Sequence, residues 1–170
     1  KYVSGAYNIS IVYYALKEMQ TTSNNIAIGA NSGFSNTTGV SNTFIGYQSG
    51  YSNLIGNQNT FLGFETGKSN TSSYNTFIGY RAGYANTSGL YNTFIGQESG
   101  LSNTTSHNNT GLGAGSLRLV KGGSNNTAFG SGALTNVVTG ANNTAFGYRA
   151  GYSATGSGNV FIGYYVGRYE

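Results

Sequence analysis

A five-residue word recurs ten times along the chain at an almost constant interval, and this periodicity constrains the fold more than any other feature. The word runs Asn, then Thr or an aliphatic, then Phe or Ala, then Ile, Leu or Phe, then Gly. Its clear copies begin at Asn25, Asn42, Asn59, Asn75, Asn92, Asn109, Asn126, Asn143 and Asn159, with spacings of 17, 17, 16, 17, 17, 17, 17 and 16 residues. A degenerate copy, Asn8-Ile9-Ser10-Ile11-Val12, lies 17 residues before Asn25. With the Asn counted as position 1, position 8 is small or β-branched (Ser32, Ser49, Thr66, Ala82) and position 9 is Gly or Leu (Gly33, Gly50, Leu117, Leu134). A polar stretch of Asn, Ser, Thr and Gly then leads to the next Asn, often with Gly three residues before it (Gly39, Gly56, Gly89).

A fixed internal period is the signature of a stacked-repeat architecture, and its length selects the kind. Seventeen residues are too few for a helical hairpin or a propeller blade. The density of Gly and Asn also disfavours helix. The word alternates with period 2, Thr43 and Ile45 pointing one way and Phe44 the other, which is strand patterning. A short strand, a Gly turn, a second short strand and a polar turn make one coil. The expected fold is therefore all-β: a parallel β-solenoid of the two-sided β-roll kind, with about ten coils spaced by roughly 4.8 Å into a rod of roughly 48 Å. The expected boundaries are a lead-in over 1–7, the β-roll over 8–168 and a tail over 169–170. Neither end reads as a cap over the open solenoid edge, which points to a longer protein or to ends that stack on other subunits.

Stacking turns positions into columns. The position-1 Asn residues (Asn25, Asn42, Asn59, Asn75, Asn92, Asn109, Asn126, Asn143, Asn159) are expected to form a structural ladder, as in other cross-β stacks. Asn also tolerates the left-handed conformations that sharp corners need. The core is expected to be narrow, built from the Ile/Leu/Phe column at position 4 and the Thr or aliphatic column at position 2. The position-3 residues Phe44, Phe61, Phe77, Phe94 and Phe161 then point away from it. Burying one Phe contributes about 1.5–3 kcal/mol, and a bare stripe of them is an aggregation hazard. Two partners could cover the stripe: two further copies of the chain around a threefold axis, with these Phe residues as oligomer contacts, or the opposite side of a wider coil.

Composition narrows the function. With no Cys the chain has no disulfide framework and no thiolate metal site. Asp is absent and Glu occurs four times, which leaves little for calcium cages or carboxylate catalysis. The apolar runs are too short to span a membrane. The expectation is no catalytic residues, no cofactor and no metal. Gly63-Phe64-Glu65-Thr66-Gly67-Lys68-Ser69 imitates a phosphate loop but has Leu62 where the motif needs Gly. Glu65, Arg81 and Glu98 share position 7 in successive coils, and the intervening cation keeps both carboxylates ionised, so they read as a charge ladder rather than a glycosidase pair. His107, the only His, sits in a turn with no carboxylate beside it.

Two aromatic columns flank that charge ladder. Position 6 carries Tyr13, Tyr47, Phe64, Tyr80, Tyr148 and Tyr164, and position 10 carries Phe34, Tyr51, Tyr84 and Tyr152, with Lys68, Arg118 and Arg168 at equivalent places. Tyr47, Tyr51, Tyr80, Tyr84, Tyr148 and Tyr152 are the candidate ligand contacts, because Tyr supplies rigid amphipathic area. Stacking between coils or chains is the alternative use of the same rings. The net charge of +4 is scattered, which disfavours nucleic acid as a partner.

The word, the small residue after it and the Gly-rich return resemble the head repeats of trimeric autotransporter adhesins, the YadA-like head. Asn25-Ile26-Ala27-Ile28-Gly29 is the nearest match, Asn143-Thr144-Ala145-Phe146-Gly147 a looser one, and similar units resemble those of phage tail fibres and secreted bacterial repeat proteins. The resemblance spans about residues 8–168; the period is longer than the family's, and Phe stands where Ala is usual. It implies a left-handed parallel β-roll, a homotrimer and an extracellular or cell-surface location, or alternatively a virion tail. The expected function is a non-enzymatic fibre or adhesin segment that displays weak contacts many times over. Its partners are then its own copies and a host-surface glycan or protein receptor, with no nucleic acid and no membrane insertion by this segment. An ice-binding solenoid is the rival, against which the Thr column reads as facing inward and is broken at Ile26 and Val160.

Overall fold

The computed structural model describes residues 5–167. The first four residues of the lead-in, Arg168 and the 169–170 tail lie outside the described residues. Among the described residues ten strands of three residues form: β1 (Ile9–Ile11), β2 (Ile26–Ile28), β3 (Thr43–Ile45), β4 (Thr60–Leu62), β5 (Thr76–Ile78), β6 (Thr93–Ile95), β7 (Thr110–Leu112), β8 (Thr127–Phe129), β9 (Thr144–Phe146) and β10 (Val160–Ile162). They make one parallel sheet in chain order, β1 to β10. The fold is an all-β solenoid in which every word stacks on the next, Thr43 on Thr60, Phe44 on Phe61 and Ile45 on Leu62. The shorter coils lose their residue in the polar return, so Thr60 still registers with Thr76, and Thr144 with Val160.

The second half of each coil is not a strand. From Gly46 to Asn53 the chain runs through turns, with Ser49 N–H donating to the Gly46 carbonyl at 3.2 Å and Asn53 N–H to Gly50 at 3.1 Å. Gln48 and Gly50, at positions 7 and 9, have φ of 51° and 61°. A left-handed residue at every second place curls the chain and forbids extended geometry. The turns nevertheless bond from coil to coil, Gly50 N–H to Thr66 at 3.0 Å and Ser52 N–H to Lys68 at 3.0 Å, so their backbone groups are satisfied as a strand's would be.

The word's inner and outer faces are the reverse of the expectation. Phe44, Phe61, Phe77 and Phe94 are fully buried and Phe161 nearly so, inside the coil of their own chain. They are the core, not oligomer contacts. Their rings stack along the axis with centroids 5.4 Å (Phe44–Phe61), 4.9 Å (Phe61–Phe77) and 5.3 Å (Phe77–Phe94) apart, matching the coil spacing. Positions 2 and 4 face outward: Leu62, Phe146, Val160 and Ile162 are exposed, and Thr43, Ile45, Thr76 and Ile78 are half-buried by their neighbours above and below. Alternation of period 2 states that the two sets oppose each other and leaves open which one is inside.

The interior is filled by exchange between positions 3 and 9. Where position 3 is Phe, position 9 is Gly: a Cβ on Gly83 would lie 2.5 Å from the Phe77 ring. Where position 3 shrinks to Ser10, Gly111 or Ala128, position 9 is Leu16, Leu117 or Leu134, all buried. Each of these Leu residues adopts a φ of 50–51°, which costs about 1–2 kcal/mol for an L-residue. Burying the side chain returns about 1.5–3 kcal/mol, so the exchange breaks even or better. In the coils that carry Ala27 and Ala145 with Gly33 and Gly151, the space is taken from neighbouring coils, by Leu16 with Phe44 and by Leu134 with Phe161.

The position-1 Asn residues form the expected ladder, with Asn59 Nδ2 donating to Asn42 Oδ1 at 3.1 Å for example, and they also link side chain to backbone. Asn42 Oδ1 accepts from the Asn59 backbone N–H at 2.9 Å, and Asn42 Nδ2 donates to the Gly56 carbonyl in the next coil at 2.8 Å. The first of these links repeats from Asn8 to Asn159 without a break. The left-handed residue is not this Asn but the one before it, Ser41 (φ 58°) or Asn125 (φ 59°) for example. A second buried Asn column, Asn36, Asn53, Asn70, Asn86 and Asn103, occupies position 12. Asn86 Nδ2 donates to Asn70 Oδ1 at 2.6 Å. The column ends at Val120, and there Asn103 Oδ1 is buried without a partner because the next amide donor is missing.

Two stability predictions follow from this packing, both read by urea denaturation. Phe77→Ala should cost about 3–5 kcal/mol, and adding Gly83→Leu should recover part of it; a double variant no more stable than Phe77→Ala refutes the exchange. Asn92→Ala orphans the Asn109 N–H and leaves the Ser106 carbonyl only its longer bond from Asn103 Nδ2, at 3.3 Å, and should cost about 1–3 kcal/mol.

Candidate functional site

The corner Gly that ends each word swings the chain off the Thr/Ile face and presents positions 6, 7 and 10 on a second face. At Gly46 that corner has φ 126°, and a Cβ would stand 2.3 Å from the Gly63 carbonyl oxygen in the next coil. Only Gly allows this approach, and the approach lets the following residues stack.

The position-6 rings are exposed and stack on one another. Tyr47 and Phe64 lie 5.2 Å apart at 22°, and Phe64 and Tyr80 5.5 Å apart at 13°. The column then breaks at Gln97, Ala114 and Ser131 and resumes with Tyr148 on Tyr164, 5.5 Å apart at 16°. At position 10, Tyr51 stacks on Phe34 at 5.0 Å and 13°. Stacked rings cover each other's faces, so within a run the aromatic columns offer edges and hydroxyls; a bare face exists only where a run ends.

Position 7 supplies the charges. Glu65 is almost fully buried, and its two carboxylate oxygens accept from Lys68 Nζ and Arg81 Nε, each at 2.7 Å. Burial pushes the Glu65 carboxyl up, but the hydrogen bonds from Lys68 and Arg81 outweigh it and hold its pKa below the usual carboxylate value. The same bond raises Lys68. Lys68 is thus engaged by Glu65, and a Cβ on Gly67 would press on the Phe61 ring, so this Gly-Lys segment forms no phosphate cradle. Glu98 pairs with Arg118 at 2.8 Å rather than with Arg81. The charge ladder is therefore two separate clusters.

Tyr80, Arg81 and Tyr84 form one unit, the guanidinium lying 5.2 Å and 5.3 Å from the two ring centroids. Tyr148, Arg149 and Tyr152 repeat it at 5.3 Å and 5.1 Å. Four of the six candidate contacts, Tyr80, Tyr84, Tyr148 and Tyr152, are therefore gathered around two arginines. Tyr47 and Tyr51 stack on Phe64 and Phe34, and among the described residues no arginine lies over either ring. Sequence reading picked out the tyrosines without the arginine between them, although Tyr-Arg-Ala-Gly-Tyr stands twice in the chain, at 80–84 and 148–152.

His107 is a structural link: its Nδ1 accepts the Leu90 N–H at 3.0 Å, the role that Asn57 and Ser73 play in other coils. Among the described residues no cluster of three or more His, Cys, Asp or Glu could hold a metal, and no helix is long and apolar enough to cross a membrane. A cavity of about 240 Å³ beside Phe161, lined by Ala154, Thr155, Gly156 and Asn159, carries no ionisable side chain. No protein-family model matches the chain, nor does any curated protein or solved structure.

Because the folded-state pKa of Glu65 lies below its unfolded value, its ionised form contributes stability at neutral pH, and that contribution is lost as pH falls through the acid range below about 4.5. Melting temperature should drop between pH 5 and pH 3 in the unmodified protein, and Glu65→Gln should flatten that drop; an unchanged pH profile in the variant excludes Glu65 as a source.

Proposed function

We propose that this chain is a non-enzymatic segment of an extracellular fibre or adhesin, a stiff repeat rod that assembles as a homotrimer. The observation that carries this reading is the outward face of the sheet. Position 4 runs the length of the rod as Ile11, Ile28, Ile45, Leu62, Ile78, Ile95, Leu112, Phe129, Phe146 and Ile162, half-buried to exposed throughout. A continuous apolar column on a straight sheet is a surface that a stable protein covers. Position 2 beside it is Thr or aliphatic and small enough to let flat sheets approach. Three copies joined through this face bury it around the axis and leave the aromatic and cationic face outward. The threefold contact thus moves from the Phe stripe to the Thr/Ile face. A phage tail-fibre segment is the alternative host for the same rod.

One observation favours a second reading. Thr43, Thr60, Thr76, Thr93, Thr110, Thr127 and Thr144 form an unbroken outward column over seven coils, so the objection that Thr points inward falls. A flat, regular Thr array is the kind of surface that orders water as ice does. The two readings compete for one face and exclude each other.

Light scattering separates them. The trimer reading expects a mass near three times 17.7 kDa, reduced to the monomer by Ile78→Lys with Ile95→Lys. A monomeric unmodified chain with thermal hysteresis supports ice binding instead, and a monomer without it removes both.

A further inference from the structure

The two Tyr-Arg-Ala-Gly-Tyr units are alike in sequence and in ring-to-guanidinium geometry, and they differ in what precedes them by one coil. Before Tyr80-Arg81 stand Phe64 and Glu65. Phe64 covers one face of Tyr80, and Glu65 accepts Arg81 Nε at 2.7 Å. Before Tyr148-Arg149 stand Ser131 and Gly132. The ring face of Tyr148 toward that coil has no aromatic partner, and among the described residues no carboxylate reaches Arg149.

The stem of Arg149 and the Thr135 hydroxyl, 3.4 Å from where a Cβ on Gly132 would stand, cover this place, so Gly132 is buried. Arg149 Cγ lies 2.9 Å and its Nε 3.7 Å from the same point, and its Nη1 donates to the Tyr165 hydroxyl. The coil before is more open, since Ala114 and Gly115 occupy positions 6 and 7 and a Cβ on Gly115 would meet only Arg118 Cδ, at 3.9 Å. The result is a shallow notch over Ala114, Gly115 and Ser131, ending on a tyrosine face beside a guanidinium. Residues 99–169 contain four cations and no Asp or Glu, so nothing in that stretch competes for Arg149. The backbone of the notch is already paired, Gly132 N–H to Ala114 and Arg149 N–H to Ser131, which rules out an added β-strand and leaves recognition to side chains.

We propose that this notch is a binding site for a carboxylate-bearing pyranose, a uronic or related acidic sugar. The sugar ring takes the place that Phe64 holds on Tyr80, with its apolar face on Tyr148. The carboxylate engages the Arg149 guanidinium from the solvent side, as Glu65 engages Arg81, and the guanidinium suits a planar anion. A single shallow contact of this kind is weak, and three copies on a trimer would multiply it. The inference deepens the attachment reading and rests on it, but the notch lies off the Thr/Ile face, so binding can be measured whether the chain is monomer or trimer.

The test is an NMR titration of the full chain with galacturonate, glucuronate and N-acetylneuraminate, with methyl galactoside as the neutral control. At least one acid should shift the Tyr148 ring and Arg149 Nε–H signals. Arg149→Gln should weaken that binding at least tenfold, while Arg81→Gln, at the already occupied unit, leaves it unchanged. Ser131→Phe with Gly132→Glu grafts the intrachain occupant into the notch and should abolish binding while the spectrum stays folded. No shift with any of the three acids overturns the proposal. So do shifts that survive Arg149→Gln, equal shifts from methyl galactoside, or binding of a Phe-Glu peptide without binding of any sugar.

Discussion

Residues one coil apart lie directly above one another, at the roughly 4.8 Å spacing of hydrogen-bonded strands, and every other property of the molecule depends on keeping that register. The position-1 Asn keeps it. Its side chain accepts the backbone N–H of the equivalent Asn one coil later and donates to the corner carbonyl of that coil, so a slip of one residue breaks both bonds at every level. The strands are only three residues long and could not hold a register alone. The fully buried Asn columns make an otherwise weakly hydrophobic chain cooperative along its axis, because an unpaired amide in that interior is costly.

Once the register is set, packing becomes one-dimensional. Each coil encloses room for about one large side chain. It comes from the strand, as Phe at position 3, from the turn, as Leu at position 9, or, in the coils of Ala27 and Ala145, from the coils on either side. The turn residues are left-handed in both cases, which shows that the backbone path is common to all coils and the side chains adapt to it. The same stacking produces the surface: identical positions make stripes, and a substitution in one coil opens a gap of defined width in a stripe. The notch over Ala114, Gly115 and Ser131 is such a gap, and Phe64 shows what a filled one looks like.

The candidate site was legible in part. The aromatic columns and the column shared by Glu65, Arg81 and Glu98 follow from counting residues against the period. The ion pairs do not: Arg81 reaches back to Glu65, whereas Glu98 is taken by Arg118 from position 10 of the next coil. The period places Cα atoms, and long side chains choose among neighbours in two directions. The second Asn column was present as a 17-residue recurrence at Asn36, Asn53, Asn70, Asn86 and Asn103, but in a return segment so rich in Asn that it did not stand out.

From the sequence alone came the solenoid, its ten strand words, their parallel register and the Asn ladder, because a repeat of 16 or 17 residues with a strand-like word has very few ways to pair its backbone. Only the tertiary structure decided which side of the word is inside. Period-2 alternation is symmetric about the strand, and the choice belongs to the turns: their left-handed bends close the coil on the Phe side and bring Gly, Ser and Asn against it. That closure leaves space for a column of stacked rings and sends Thr and Ile outward, moving the exposed apolar stripe from one face of the strand to the other.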